Sequence, residues 1–171
     1  MKKLLLLILA LLMVFCLAAC EEPAQGDQGG ASSEPSQEAG PVEGYAFVYA
    51  GVELIPGAGF DASLLPQCEH IYDTPNCALD GMDTVYNYGK IEVTVYTEDG
   101  SNTIQSVYII DPNLATPEGL TLGSDVSAVT ELYGSEYTAN GSELQYAKGN
   151  MILAILTQDD YVVSIEYRIA G

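Results

Sequence analysis

The sequence predicts an α+β fold: two tandem helix-plus-antiparallel-strand repeats that form one sheet with helices on one face. Three observations predict it. The first is an internal repeat, a signal that decides architecture before any single element does. A shift of 60 residues pairs Tyr86 with Tyr146, Gly89 with Gly149, Ile91 with Met151, Val93 with Leu153, Val95 with Ile155 and Asp99 with Asp159. After a turn two residues shorter in the second copy, Ser106 pairs with Ser164, Val107 with Ile165 and Ile109 with Tyr167. The second is strict alternation. Ile91, Val93 and Val95 face one way and Glu92, Thr94 and Tyr96 the other, as in a half-buried strand. The third is a helix signature. Ser124 or Asp125 caps it, Val126, Val129 and Leu132 share a face, and Gly134 ends it.

Taken in order, the chain begins with an address. Met1–Ala19 reads as a secretory signal, with Lys2 and Lys3 as its basic start and Leu4 to about Cys16 as an apolar core too short to span a bilayer comfortably. It ends in Leu17-Ala18-Ala19-Cys20, which resembles the bacterial lipobox, in which a diacylglycerol is attached to the Cys and the signal is cut just before it. Cys20 is therefore the expected lipidation site. Two or three acyl chains suffice for a stable anchor, so the expected location is the extracytoplasmic face of a cell membrane. Residues 20–42 then form an acidic linker rich in Gly, Ser, Gln, Glu and Pro. Such a composition cannot bury enough apolar surface to offset its ordering entropy, and its reach is about 25 Å.

Residues 43–171 fit one domain, with units at about 51–110 and 119–169. Tyr45 to Tyr49 alternates as a strand, Ala50-Gly51 turns, and Val52 to Leu54 returns. Asp61 caps a short helix with Leu64 and Leu65 inward, limited by Pro66. The turn Glu98-Asp-Gly-Ser-Asn102 joins two strands, and Asp111 to Glu118 connects the units. Met151 to Leu156 is apolar on both faces, as in a central strand. Val163, Ile165, Tyr167 and Ile169 face inward thereafter. The predicted open face of the sheet carries Glu92, Thr94, Tyr96, Tyr108, Glu166 and Arg168.

Charge excludes one class of partner. The chain has 5 basic and 24 acidic residues. Nucleic-acid binding needs a basic footprint, and none exists. Solubility and self-repulsion outside the cell are the preferred reading of the acidity, and a cationic partner or divalent cation is the alternative.

Several stretches carry a resemblance. Gly51-Val52, Asn76-Cys77-Ala-Leu-Asp-Gly-Met-Asp83, Tyr88-Gly89, Ala115-Thr-Pro-Glu-Gly119 and Ser164-Ile-Glu-Tyr167 resemble uncharacterised surface lipoproteins of clostridia-type bacteria, over roughly residues 45–169. That resemblance implies a surface lipoprotein and transfers no catalytic residue. The tandem arrangement is similar to β-lactamase-inhibitor-protein-like architecture. Gly123 to Gly134 is similar to the helix-then-sheet units of small outer-membrane assembly lipoproteins.

The chemistry-bearing residues are few. Cys68 and Cys77 form an even pair in an exported chain, which reads as a disulfide worth about 2–3 kcal/mol; two reduced thiols are the alternative. Cys68, His70 and Cys77 with Asp73 or Asp80 have zinc-ligand types, but their spacing matches no zinc pattern, so no metal site is assigned. His70 is the single histidine, and no Gly-x-Ser-x-Gly elbow accompanies it. The acidic turns lack the register of a calcium loop. No catalytic residue and no cofactor is assigned. The expected function is a non-catalytic, membrane-anchored binding module that engages a protein or an envelope polymer through the open face. The alternatives are a carboxylate-based envelope hydrolase and a structural or assembly lipoprotein.

Overall fold

Ten strands and one α-helix make up the described part of the chain. A computed structural model describes residues 44–76, 78–79 and 81–171. The signal, Cys20, the linker, Cys77 and Asp80 lie outside the described residues. Strands β1 (Phe47–Tyr49) and β2 (Val52–Leu54) form a small hairpin. Strands β3 (His70–Pro75), β4 (Met82–Asn87), β5 (Ile91–Glu98) and β6 (Ser101–Ile109) precede the helix α1 (Val126–Tyr133). Strands β7 (Thr138–Asn140), β8 (Glu143–Lys148), β9 (Met151–Gln158) and β10 (Tyr161–Ile169) follow it. The eight later strands build one antiparallel sheet in the order β3-β4-β5-β6-β10-β9-β8-β7.

The seam between β6 and β10 pairs Ile109 with Ile165 and Val107 with Tyr167. The order on either side of it is mirrored: β5, β4 and β3 outward from β6, and β9, β8 and β7 outward from β10. Alternation sends Ile91, Val93, Val107, Leu153, Ile155 and Ile165 to one face, where each is fully buried. Each such side chain contributes about 1.5–3 kcal/mol. Phe47 and Leu54 of the small hairpin, Phe60, Leu65, Leu120 and Val129 of α1 pack over that face. Phe47 and Tyr45 set their rings 5.6 and 6.2 Å from that of Tyr167.

The expected pair of helix-plus-strand repeats is not what forms. The fold is mostly antiparallel β, and the helical component is a single eight-residue α-helix among the described residues. Proline explains the first unit. Asp61 does cap, its carboxylate accepting from the Ser63 amide at 2.9 Å. What it caps is one 3₁₀ turn, Ala62–Leu64, after which Leu65 is extended (φ −101°, ψ 162°). The ring of Pro66 disfavours helical backbone at the residue before it, so the chain leaves as coil and then as β3. Leu64 consequently points to solvent, while Leu65 is buried. Strand β3 is not announced by the sequence, because neither His70, Tyr72 and Thr74 nor Ile71 and Asp73 make an apolar set. In the second unit α1 forms, but only Val129 of its expected stripe is fully buried and Leu132 is exposed.

What repeats is the strands. Hairpins β5–β6 and β9–β10 both close through two-residue turns, Asp99-Gly100 and Asp159-Asp160. All four residues have positive φ, between 50° and 79°, as a type I′ turn requires. The expectation of a shorter second turn is thereby corrected. The two-residue offset read at Ser106 and Ser164 is local to the β-bulges, because Ile91 pairs with Ile109 and Met151 with Ile169, so the strand ends match again at 60 residues. In β5–β6 the register shifts between Thr94 and Val95, opposite Ile104 and Ser106, which leaves Gln105 as the extra residue. In β9–β10 the shift lies between Val162 and Ser164, which leaves Val163. The second bulge therefore sits two residues nearer its turn.

Both sheet edges are blunted. β3 ends in Pro75 and carries Asp73, and β7 has three residues, devices that discourage edge-to-edge pairing. Among the described residues, no helix is long and apolar enough to cross a membrane.

Candidate binding face

Strand register places all six expected face residues on the sheet surface opposite the core. One row crosses eight strands as His70, Asn87, Glu92, Tyr108, Glu166, Ala154, Gln145 and Thr138. The next row carries Tyr72, Val85, Thr94, Ser106, Arg168, Ile152 and Ala147. A third row brings Thr74, Asp83, Tyr96 and Thr103 together. Successive rows are about 7 Å apart along the strands and neighbours in a row about 4.8 Å apart. Glu92, Thr94, Tyr96, Tyr108, Glu166 and Arg168 are all half-buried.

Arg168 is the electrostatic centre of this face. Its Nη2 donates to Glu143 Oε1 at 2.7 Å, and its Nη1 donates to Glu166 Oε2 at 2.9 Å. Gln145 Nε2 supports the same Glu143 oxygen at 2.6 Å. The guanidinium holds the Glu143 carboxyl below its usual range, and hydrogen bonding to Glu143 raises the Arg168 pKa in return. Further along, Glu92 Oε1 accepts from Asn87 Nδ2 at 2.8 Å and from the Tyr72 hydroxyl at 3.1 Å. Partial burial, with Glu92 second, raises the Tyr72 phenol.

The connection from β3 to β4 adds a third group. Asn76 Nδ2 donates to Asp83 Oδ1 at 2.8 Å, while Asn76 Oδ1 accepts from the amides of Ala78 and Leu79 at 2.8 and 2.6 Å. This Asx turn holds the connection against Asp83, whose residue is 8% exposed. Two grooves flank it. One of about 350 Å³ is lined by Asn76, Asp83, Thr94, Gln105, Ser106, Glu166 and Arg168, among others. The other, about 400 Å³, is lined by Leu79, Tyr96, Glu98, Asp99, Ser101, Thr103 and Gln105.

Gln105 borders both grooves because it is the bulge residue. A bulge sets two consecutive side chains toward one surface and re-aims them. Here neither Gln105 nor Ser106 is buried, whereas Ile104 and Val107 are. The sequence holds that signal, since two polar residues between Ile104 and Val107 break the alternation. Asp83, Asn76 and Glu143 carry no comparable signal; they join the face through the β3–β4 connection and the outer strand β8.

Cys68 carries a free thiol, half-buried against the core; its expected partner, Cys77, lies outside the described residues. Nearby, burial pushes the Tyr88 phenol up to about 12, with Cys68 the next contributor, and the Tyr88 hydroxyl has no hydrogen-bond partner. His70 is exposed at the start of β3, and among the described residues no three His, Cys, Asp or Glu side chains are grouped to hold a metal.

A second polar cluster braces the covered side. The Tyr133 hydroxyl donates to Glu118 Oε2 at 2.7 Å and lies 2.7 Å from Thr116 Oγ1. It ties α1 to the connection after β6, and burial raises its pKa well above the ordinary phenol. Its role is structural. Compared with protein-family models, with curated proteins and with solved structures, the chain matches none.

Proposed function

We propose that this chain is a membrane-anchored, extracytoplasmic lipoprotein whose sheet is a non-catalytic binding module. The anchor rests on Leu17-Ala18-Ala19-Cys20 behind a basic start and an apolar run. The single observation that carries the binding reading is the clustering of Glu92, Thr94, Tyr96, Tyr108, Glu166 and Arg168 on the face opposite the core, beside two grooves. Aromatic and Arg side chains at half-exposed positions are what interfaces favour. Glu143 is poorly suited to act as the general acid of a hydrolase. A general acid needs a raised pKa, whereas Arg168 lowers that of Glu143.

Two experiments test the reading. Cys20→Ser moves the chain from the membrane to the soluble fraction and abolishes metabolic labelling with an alkyne fatty acid; retention of label contradicts the anchor. The combined change Glu92→Gln, Tyr96→Ala and Arg168→Met abolishes photocrosslinking of the full chain to envelope fractions. Undiminished crosslinking by the folded variant contradicts the binding face.

A further inference from the structure

Resting on that reading, the geometry points to a neutral glycan chain as the ligand of the two grooves. Charge narrows the choice first. Arg168 is the only cation lining the 350 Å³ groove, and Glu143 and Glu166 already hold it. An anionic ligand would find no free counter-charge in either groove among the described residues. In the 350 Å³ groove the carboxylates are also engaged, Glu166 by Arg168 and one Asp83 oxygen by Asn76, while Glu98 and Asp99 border the other groove as exposed residues at the β5–β6 turn.

The uncharged hydrogen-bonding side chains of the two linings are amide and hydroxyl. Gln105, Thr94 and Ser106 in one groove, with Ser101 and Thr103 in the other, each donate and accept. Sugar hydroxyls require that dual capacity. Tyrosines sit in the rows on either side of Thr94 and Ser106, Tyr96 on one side and Tyr108 on the other. Their rings offer flat apolar surface with a polar tip, which suits the C–H face of a pyranose.

The shared border selects a chain over a single sugar. Both grooves fall in the range of about 300–1,000 Å³ that holds a small ligand, and Gln105 lines each of them. A linear saccharide crossing Gln105 occupies both, so affinity should rise with length until both are filled.

The test uses the full-length chain in detergent micelles, titrated calorimetrically with neutral gluco-, manno- and N-acetylglucosamine hexasaccharides. Hexagalacturonate and hexalysine serve as charged controls. The inference expects saturable binding of at least one neutral hexamer, weaker binding of its disaccharide, and about tenfold loss in Gln105→Ala and in Tyr96→Ala. Ser106→Ala, a smaller change, provides a second readout should Gln105→Ala fail to unfold cooperatively. Binding of hexalysine alone, binding of no neutral hexamer, or neutral binding untouched by all three variants overturns the glycan assignment. If neutral hexamers fail while the Glu92, Tyr96 and Arg168 variant still loses envelope crosslinking, the binding face stands and only the ligand class falls. If that crosslinking also persists, both fall.

Discussion

Hairpins β5–β6 and β9–β10 are built to one plan and finished differently. Their inward positions match in kind: Ile91 with Met151, Val93 with Leu153, Val95 with Ile155, all at most 1% exposed. Their outward positions do not. Glu92, Thr94 and Tyr96 of β5 stand where β9 has Ile152, Ala154 and Leu156. The bulge residue is Gln105 in the first and Val163 in the second. Inward residues answer to close packing, which is felt at the level of a single methylene. Outward residues answer to whatever meets the surface. On the open face β5 thus carries hydrogen-bonding chemistry that its counterpart β9 lacks.

The largest effect expected from breaking this comparison lies inside. Ile91→Ala and Met151→Ala should each lose about 2–5 kcal/mol by urea unfolding, Met151 toward the lower end because its flexible chain packs less specifically. Their outward neighbours Glu92→Ala and Ile152→Ala should stay within about 1 kcal/mol. A large loss at only one inner site would mean that the two hairpins do not share the core equally.

The next effect lies at the seam, where Arg168 of β10 is held by Glu143 of β8. Arg168→Met should cost roughly 1–2 kcal/mol at pH 7, since the side chains are about three-quarters buried and both carboxylates lose their partner. Glu143 has a folded pKa below its ordinary 4.5. Its contribution is therefore fully present above that value and is lost as pH falls through the lower folded one. Acid unfolding curves of the wild type should steepen below about pH 4.5, and Glu143→Gln should flatten that limb. An unchanged acid limb would show that the pair adds nothing.

The smallest effect sharpens the comparison at the turns. Asp160 holds φ of 67° where the first hairpin has Gly100 at 79°. Asp160→Gly should raise stability by up to about 0.5–1 kcal/mol, and Gly100→Asp should lower it similarly, because a side chain is strained in the left-handed region. Thermal unfolding of the two variants reads both signs.

The strands of the repeat and their inward residues were legible because period-two alternation survives burial. The helices were less so. Asp61 carried its capping signal faithfully, but Pro66 left room for only one 3₁₀ turn, and the downstream chain became edge strand β3. An edge strand half in solvent has no apolar set to announce it, so Tyr72 and its bond to Glu92 were hidden. The six face residues were legible as the outward half of the alternation. Asp83, Asn76 and Glu143 were not, because their places depend on which strands become neighbours, a property of topology rather than of local pattern. The two-residue offset read between the copies belongs to a displaced bulge, and beyond it the strands match again at 60 residues, which residue likeness alone did not separate from a shorter turn.

Hydroxyl-radical footprinting of the full-length chain on its native membrane tests the binding face most directly. Exposed or half-exposed tyrosines lie on both halves of the molecule, which gives internal controls. The account predicts protection of Tyr72, Tyr96 and Tyr108 relative to the purified chain, with Tyr137 and Tyr161 unchanged. Protection of Tyr137 and Tyr161 with Tyr96 and Tyr108 unaltered would contradict it.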